Sequence, residues 1–406
     1  MMKMTFEVRE AKEEDREQSI QLLVKTFGDM GILEDSWVNS WREYMNRPEN
    51  HDWNFVATLE DKVIANLAYF ENRNNVIRGN SIPFAGVWAV AVAEEHRRKG
   101  ILTEIYMTVF KDMKDKGIAL SILEPSPYPG AQLAYEKLGY ALAETYAIFE
   151  FPPDALRSVK GKSSISVREL TDTKEHTIVE GLAQRMAQYG SRVFVFPWVY
   201  MGWIKQGNFY VFEEGNKPVG CMWLVFEEKD DTRIMNIYSN YLTSFEALPS
   251  AIELVKQKSD GCNTIRWSAD PQYPIPEFIQ NIQKLNRKVS GKMMMRIIDF
   301  ENYCKSIKVP KQRIDAIRMK LIDAYCSWNE GVYSLSAENG ELQITKLDDN
   351  AESDIVLDPY SLSQVIGGRT SATVLREIGI INCTESIARK LDTLFPTENF
   401  ISYFRF

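Results

Sequence analysis

Apolar and polar positions along the chain fall into a recurring order of alternating strands, hairpins and amphipathic helices. Phe6-Glu7-Val8 alternates and reads as a first strand. Asp15 to Phe27 carries Ile20, Leu22, Leu23 and Phe27 at helical spacing. Ser36 is placed to cap a second helix through Tyr44, which Pro48 stops. Asn54 to Leu59 and Val63 to Phe70 predict a hairpin closed by Glu60-Asp61-Lys62. Ile82 to Ala93 is apolar on both faces, as a central strand is. A helix over Ile101 to Lys116 and a strand over Ile118 to Leu123 complete a right-handed crossover. A short helix from Ala131 to Leu138 and a strand pair from Tyr140 to Phe151 close this first unit.

The order then repeats. After Phe151-Pro152-Pro153 and the Lys/Ser stretch Ser158 to Ser164, a second unit opens at Ile165-Ser166-Val167. Asn208 to Phe212, Glu214-Gly215-Asn216 and Val219 to Phe226 mirror the earlier hairpin, and Ile234 to Leu242 mirrors the long strand. A helix over Glu246 to Lys258 and a strand at Thr264 to Trp267 come next. A third region starts near Met293, with a strand at Met293 to Ile298 and a helix over Ile314 to Ile322. Val332 to Ser336 and Leu342 to Leu347 flank Glu338-Asn339-Gly340, a strong hairpin signal. A strand at Asp354 to Leu357, a helix begun by Pro359 and ended by Gly367-Gly368, and helices over Ser371 to Gly379 and Thr384 to Phe395 complete the pattern. The domains expected are 1–151, 165–290 and 291–406.

The two long strands run into different turns. Val90-Ala91-Val92 leads to Glu94-Glu95-His96-Arg97-Arg98-Lys99-Gly100 and then directly to the helix at Ile101-Leu102. Free backbone N–H groups, a helix N-terminus and three cations meet there, and cations at that end oppose the helix dipole unless an anion is present. The turn therefore predicts a polyphosphate site. Its counterpart, Thr243-Ser244-Phe245-Glu246-Ala247-Leu248-Pro249, has neither Arg nor Gly, so the second unit reads as a degenerate copy.

Composition sharpens this. Formal net charge is -8 over 406 residues, a balance that disfavours nucleic acid and favours cationic small molecules. Five cysteines without CxxC spacing and three histidines suggest neither a disulfide framework nor a metal centre. Charged Met1 to Glu10 is no signal peptide, and no apolar run spans a membrane, so a cytoplasmic protein is expected.

Strand, Arg97-Arg98-Lys99-Gly100-Ile101, helix and strand resemble the acetyl-CoA site of the GCN5-related N-acetyltransferases (GNAT). The three-part order is similar to the enhanced-intracellular-survival (Eis) group. The resemblance implies an α/β fold of tandem GNAT-type mixed sheets, the second degenerate, followed by an α/β domain like sterol carrier proteins. It places acetyl-CoA, with no metal, against Val90, Ala91, Val92, Arg97, Arg98, Lys99, Gly100, Ile101 and Leu102, with a second patch near Glu124, Pro125 and Ser126. Ala134-Tyr135-Glu136-Lys137-Leu138-Gly139-Tyr140 matches the family's acid motif with Leu138 for an aromatic residue, which makes Tyr135 the general acid. The base it implies is the carboxylate of the final residue, here Phe406. The resemblance also implies a homo-oligomer, a hexamer in the family, and an amine acceptor such as an aminoglycoside or a Lys side chain.

Independently of the resemblance, Phe84 to Ala93 has no Glu, Asp or His, so a base must come from elsewhere. His96 falls by the phosphate turn and reads as structural. Phe27, Trp37, Trp41 and Trp88 are candidates to line an ammonium pocket, with Glu34, Asp35 and Glu124 as its acids, although core packing and solvated surface account for them equally well. The alternative function is a lipid- or ligand-binding protein with vestigial acetyltransferase units.

Overall fold

The computed structural model describes residues 5–28, 54–73, 75–186, 190–194, 197–229 and 231–402. The helix expected from Ser36, Glu34, Asp35, Trp37, Trp41 and the last residue, Phe406, lie outside them. Strand β1 (Glu7–Glu10) and helix α1 (Arg16–Gly28) lead into β2 (Asn54–Leu59) and β3 (Lys62–Asn72). Glu60 and Asp61 both take left-handed φ, 49° and 60°, which matches the twist of the hairpin they close. Next come β4 (Asn75–Val76), β5 (Phe84–Val92), α2 (Ile101–Asp115), β6 (Leu120–Leu123), α3 (Ala131–Lys137), β7 (Ala141–Leu142) and β8 (Tyr146–Phe151).

The second unit holds β9 (Ile165–Glu169), α4 (His176–Arg185), β10 (Arg192–Val193), α5 (Pro197–Gln206), β11 (Phe209–Glu214), β12 (Lys217–Lys229), β13 (Thr232–Leu242), α6 (Leu248–Lys258), β14 (Thr264–Ala269) and β15 (Asn286–Ser290). Its sheet runs β15-β8-β14-β13-β12-β11-β9, while the first runs β1-β2-β3-β5-β6-β16-β7, with β16 spanning Met294–Ile297. Taken from the β9 edge, the second order is the same as the first.

The two units exchange one strand each. β8 follows β7 in the chain but pairs with β14 and β15 of the second sheet, Phe151 opposite Ile265 and Glu150 opposite Asn286. β16 follows β15 but enters the first sheet between β6 and β7, with Met294 opposite both Leu123 and Leu142. The strand pair expected to close the first unit therefore divides after Leu142. Ala147, Phe149 and Phe151 pack into the second unit's core, and all four residues of β16 are buried in the first sheet.

The third region contains α7 (Phe300–Ser306), β17 (Ile314–Leu321), β18 (Gly331–Glu338), β19 (Glu341–Lys346), β20 (Ile355–Leu357), α8 (Pro359–Gly367), α9 (Ala372–Glu377) and α10 (Glu385–Leu394), before β21 (Ile401–Ser402). The segment expected as a helix, Ile314 to Ile322, is a strand. Ile317, Met319 and Leu321 point inward while Arg318 and Lys320 stay accessible, a period of two that outweighs the helix propensity of Lys, Arg and Met. Asn339 and Gly340 close β18 and β19 as expected, with φ of 56° and 90°. A small sheet, β21-β10-β4, takes one short strand from each of the three regions. No helix among the described residues is long and apolar enough to cross a membrane.

Candidate active site

β5 and β6 pair in parallel only from Phe84–Leu120 to Val87–Leu123. β5 continues to Val92, whereas β6 stops at Leu123, so the two strands part, and among the described residues no strand pairs with that edge of β5 beyond Val87. A bulge sits at the parting point. Ala68 faces Trp88 and Asn66 faces Ala91, and Ala89 takes φ of 51°. The Asn66 side chain donates to the Ala89 carbonyl at 2.8 Å and so holds the bulge. The alternation beyond it turns half-buried Val90 toward α2 and α3, while Ala91 packs on the α1 side. Of the three residues expected on the strand, Ala91 can offer a ligand its backbone alone.

At the end of β5 the Arg97 guanidinium is tied down. Its Nε donates to the Val92 carbonyl at 3.1 Å, and Nη1 donates to the Tyr128 hydroxyl at 3.2 Å above that ring. Arg98 and Lys99 remain exposed as cations. Gly100 is the N-cap of α2 with φ of 84° and supplies no side-chain cap. The first N–H groups of the helix have no carbonyl of their own to bond. A Cβ on Gly100 would meet nothing within 4 Å, so the space before these groups is open. Ile101 is buried and fixes the helix start on the sheet, and Leu102 reaches the cluster that contains Val90. Basic charge, helix N–H groups and open space at Gly100 meet beside the parting of β5 and β6, an arrangement that fits a long anionic ligand such as acetyl-CoA.

Glu124 and Pro125 follow β6 at the other side of the parting. Glu124 pairs with Lys292 at 3.4 Å, which neutralises a carboxylate that would otherwise repel phosphate. Tyr135, on α3, is buried in the same apolar cluster as Val87, Val90, Leu102 and Leu123. Its ring meets Tyr106 and Tyr140 edge-on, each at 6.1 Å. Burial pushes its phenol up to about 12, held back by the Tyr106 hydroxyl, so it keeps its proton at neutral pH. Leu138, in place of an aromatic residue, is fully packed in this cluster.

The Tyr135 motif rests on residues that the sequence did not single out. Arg296 of β16 is fully buried, lies over the Phe110 ring and places Nη2 at 2.8 and 2.9 Å from the two oxygens of Asp323. Its Nη1 sits 2.0 Å from where a Cβ of Gly139 would be, and Gly139 has φ of 91°. Ser363 of α8 donates to the Gly139 carbonyl at 2.9 Å. The third region thus braces the motif from below. Buried Glu144 accepts the backbone N–H groups of Lys292, Met293 and Ser402 at 3.1, 3.2 and 3.2 Å. It links the end of β6, through Lys292, to the segment that leads into Phe406. A Glu beside an apolar strand end was the one sequence cue to this link.

His96 lies in the short turn before Arg97. Phe27 of α1 and Trp88 of β5 are half-buried against an apolar cluster other than the one that holds Tyr135. A separate cavity of about 780 Å³ lies on the second sheet, with Trp203, Trp223, Tyr238, Glu227 and Ser402 among its walls.

Residues 7–143 match the family model described as the acetyltransferase (GNAT) domain, and residues 302–402 match the sterol carrier protein domain. The chain therefore carries a GNAT acetyltransferase domain in its first unit and a sterol carrier-like domain in its last. Its sequence is 21% identical over 404 residues to an uncharacterized N-acetyltransferase of Streptomyces avermitilis, covering 93% of each chain. In fold it is similar to a GCN5-related N-acetyltransferase from Anabaena variabilis, with TM-score 0.83, 19% identity and coverage of 99% of this chain and 100% of that one. It is also similar to Eis1 from Mycobacterium abscessus, with TM-score 0.73, 16% identity and the same coverage.

Proposed function

We propose that the protein transfers acetyl from acetyl-CoA to the amine of a small cationic acceptor of aminoglycoside or polyamine type, or to a Lys side chain. The observation that carries this reading is the parting of β5 from β6 beside the Gly100-led start of α2, which has no side-chain cap. Acetyl-CoA supplies the activated thioester. The β5 edge orients the acyl end, and Arg98, Lys99 and the α2 N–H groups hold the phosphates. Tyr135 keeps its proton until the departing sulfur needs it. The departing thiolate, whose thiol has a pKa of about 8.5, is a weaker base than this phenolate, so the hydrogen bond from Tyr135 carries much of the stabilisation. The carboxylate of Phe406 takes the proton that the amine nitrogen loses as its bond to the acyl carbon forms. Five unpaired thiols fit a reducing, cytoplasmic setting. The resemblance to the Eis group supports a homo-oligomer.

Calorimetry and steady-state turnover test this together. Arg98→Glu is expected to weaken acetyl-CoA binding about tenfold. Tyr135→Phe is expected to lower kcat roughly 10²-fold, and deletion of Phe406 to abolish turnover, both with acetyl-CoA affinity within about twofold of the parent. Absence of acetyl-CoA binding in the parent protein would refute the enzyme reading and leave the ligand-binding alternative.

A further inference from the structure

The second unit keeps the parted strands of the first. β13 and β14 pair only from Ile234–Thr264 to Ile237–Trp267, a span of four, as β5 and β6 do. The bulge is kept as well. Trp223 faces Tyr238 and Cys221 faces Tyr241, matching Ala68–Trp88 and Asn66–Ala91. Aligning the two registers sets Asn240 where the first unit has Val90, and Leu242 where it has Val92.

Here the gap is closed by the chain itself. Asn240 Nδ2 donates across it to the Ser268 carbonyl at 2.6 Å. Asp270, just past β14, accepts Asn399 Nδ2 at 3.0 and 2.9 Å and pairs with the buried Arg192 at 3.3 Å. Arg192 Nη1 donates in turn to the Asn399 carbonyl at 2.5 Å. Ile401 and Ser402 continue as β21 beside β10, and the Ser402 N–H is held by Glu144. The space left among Asn240, Leu242, Phe245, Asp270, Tyr273 and Asn399 is about 280 Å³, at the lower limit of the roughly 300–1,000 Å³ usual for ligand sites.

We infer that the parted strands of the second unit, the counterpart of the acetyl-CoA slot, have become a dock for the chain's own segment 399–402, and that Asp270 and Arg192 are positioning residues for Phe406. The positioning half rests on the proposed role of Phe406; the docking half does not. The Arg192 guanidinium is buried and cannot turn away from half-buried Asp270 without losing its charged partner where water does not replace it. Four residues then separate the fixed Ser402 from the carboxylate at Phe406. That tether is short enough for errors at the anchor to reach the reacting atoms.

The experiment uses the full chain with Asp270→Ala, and with Asn399→Ala as a milder variant that leaves the Arg192–Asp270 pair in place. Three readouts are taken: hydrogen exchange of the peptide containing Ile401 and Ser402, kcat, and acetyl-CoA affinity. Exchange at least about tenfold faster, with kcat down about tenfold or more and affinity within about twofold, supports the inference. Asp270→Glu is expected to recover part of kcat. Unchanged exchange in both variants overturns the dock. Faster exchange with unchanged kcat overturns the positioning role. If deletion of Phe406 leaves turnover intact, the base assignment fails, and the exchange result still decides the dock on its own.

Discussion

Gly139 is the position where a single methyl group tests how the segment carrying Tyr135 is held. Its φ of 91° costs an L-residue about 1 kcal/mol. A Cβ there would lie 2.0 Å from Arg296 Nη1 on one side and 2.6 Å from Pro359 Cβ on the other. Neither neighbour can yield easily. Arg296 is fully buried with Nη2 bonded to both oxygens of Asp323, and Pro359 begins α8. Forcing the guanidinium aside breaks a buried pair, a loss of about 3–5 kcal/mol. Gly139→Ala is therefore expected to destabilise the protein by about 4–6 kcal/mol, or by about 2–3 kcal/mol if the loop shifts and spares the pair. Gly100→Ala is the internal control. Its φ of 84° carries the same backbone strain, yet its Cβ meets nothing within 4 Å, so about 1 kcal/mol is expected. Urea unfolding followed by tryptophan fluorescence compares the midpoints. Equal midpoints for the two variants would refute the reasoning, because they share the φ term and differ only in what the methyl group strikes.

Buried titratable groups give two more expected outcomes. The Tyr135 phenol stands at about 12 when folded, against about 10 unfolded, so above pH 10 the unfolded chain releases its proton first and stability falls. The loss is fully developed by pH 12 and amounts to about 3 kcal/mol for this group. The urea midpoint should drop between pH 9 and pH 11, and the drop should shrink in Tyr135→Phe; an identical drop in that variant counts against the burial of the phenol. Cys221, Cys304 and Cys326 are buried, and burial pushes all three thiols up, Cys326 to about 11. A thiol-reactive dye at pH 8 should label only Cys262 and Cys383 promptly in the native protein and all five in denaturant. Prompt labelling of Cys304 or Cys326 would contradict the packing between the first unit and the third region.

Element positions were largely legible because most strands bury one face or both, and a two-residue period survives without knowledge of neighbours. β5, the hairpin at Glu60-Asp61 and the hairpin at Asn339-Gly340 were read from local pattern alone. The turn from Arg97 to Gly100 stands out in the sequence for another reason. Its cations stand where a helix dipole disfavours them, and that conflict is local. Partner choice was not legible. β8 and β16 each complete an equivalent position in one of two sheets of the same order, and nothing in Tyr146 to Phe151 specifies which sheet accepts it. Nor did Arg296, Asp323 or Glu144 announce themselves, since their importance lies in distant partners. Ile314 to Ile322 misled because Lys, Arg and Met favour helices, while the sheet rewarded its alternation.

The crossed strands also set an order of events during synthesis. The first sheet has a gap between β6 and β7 until Met294 to Ile297 have been made. A ribosome must therefore translate the whole second unit before the first sheet closes, whereas β8 can pair with β14 once Ala269 has been made. Loop closure over that distance adds little free energy, because its entropy grows only with the logarithm of length, but it delays completion. The second unit is thus an obligatory insert in the folding history of the first. The second sheet, whose last strand is made by Ser290, can close before the first.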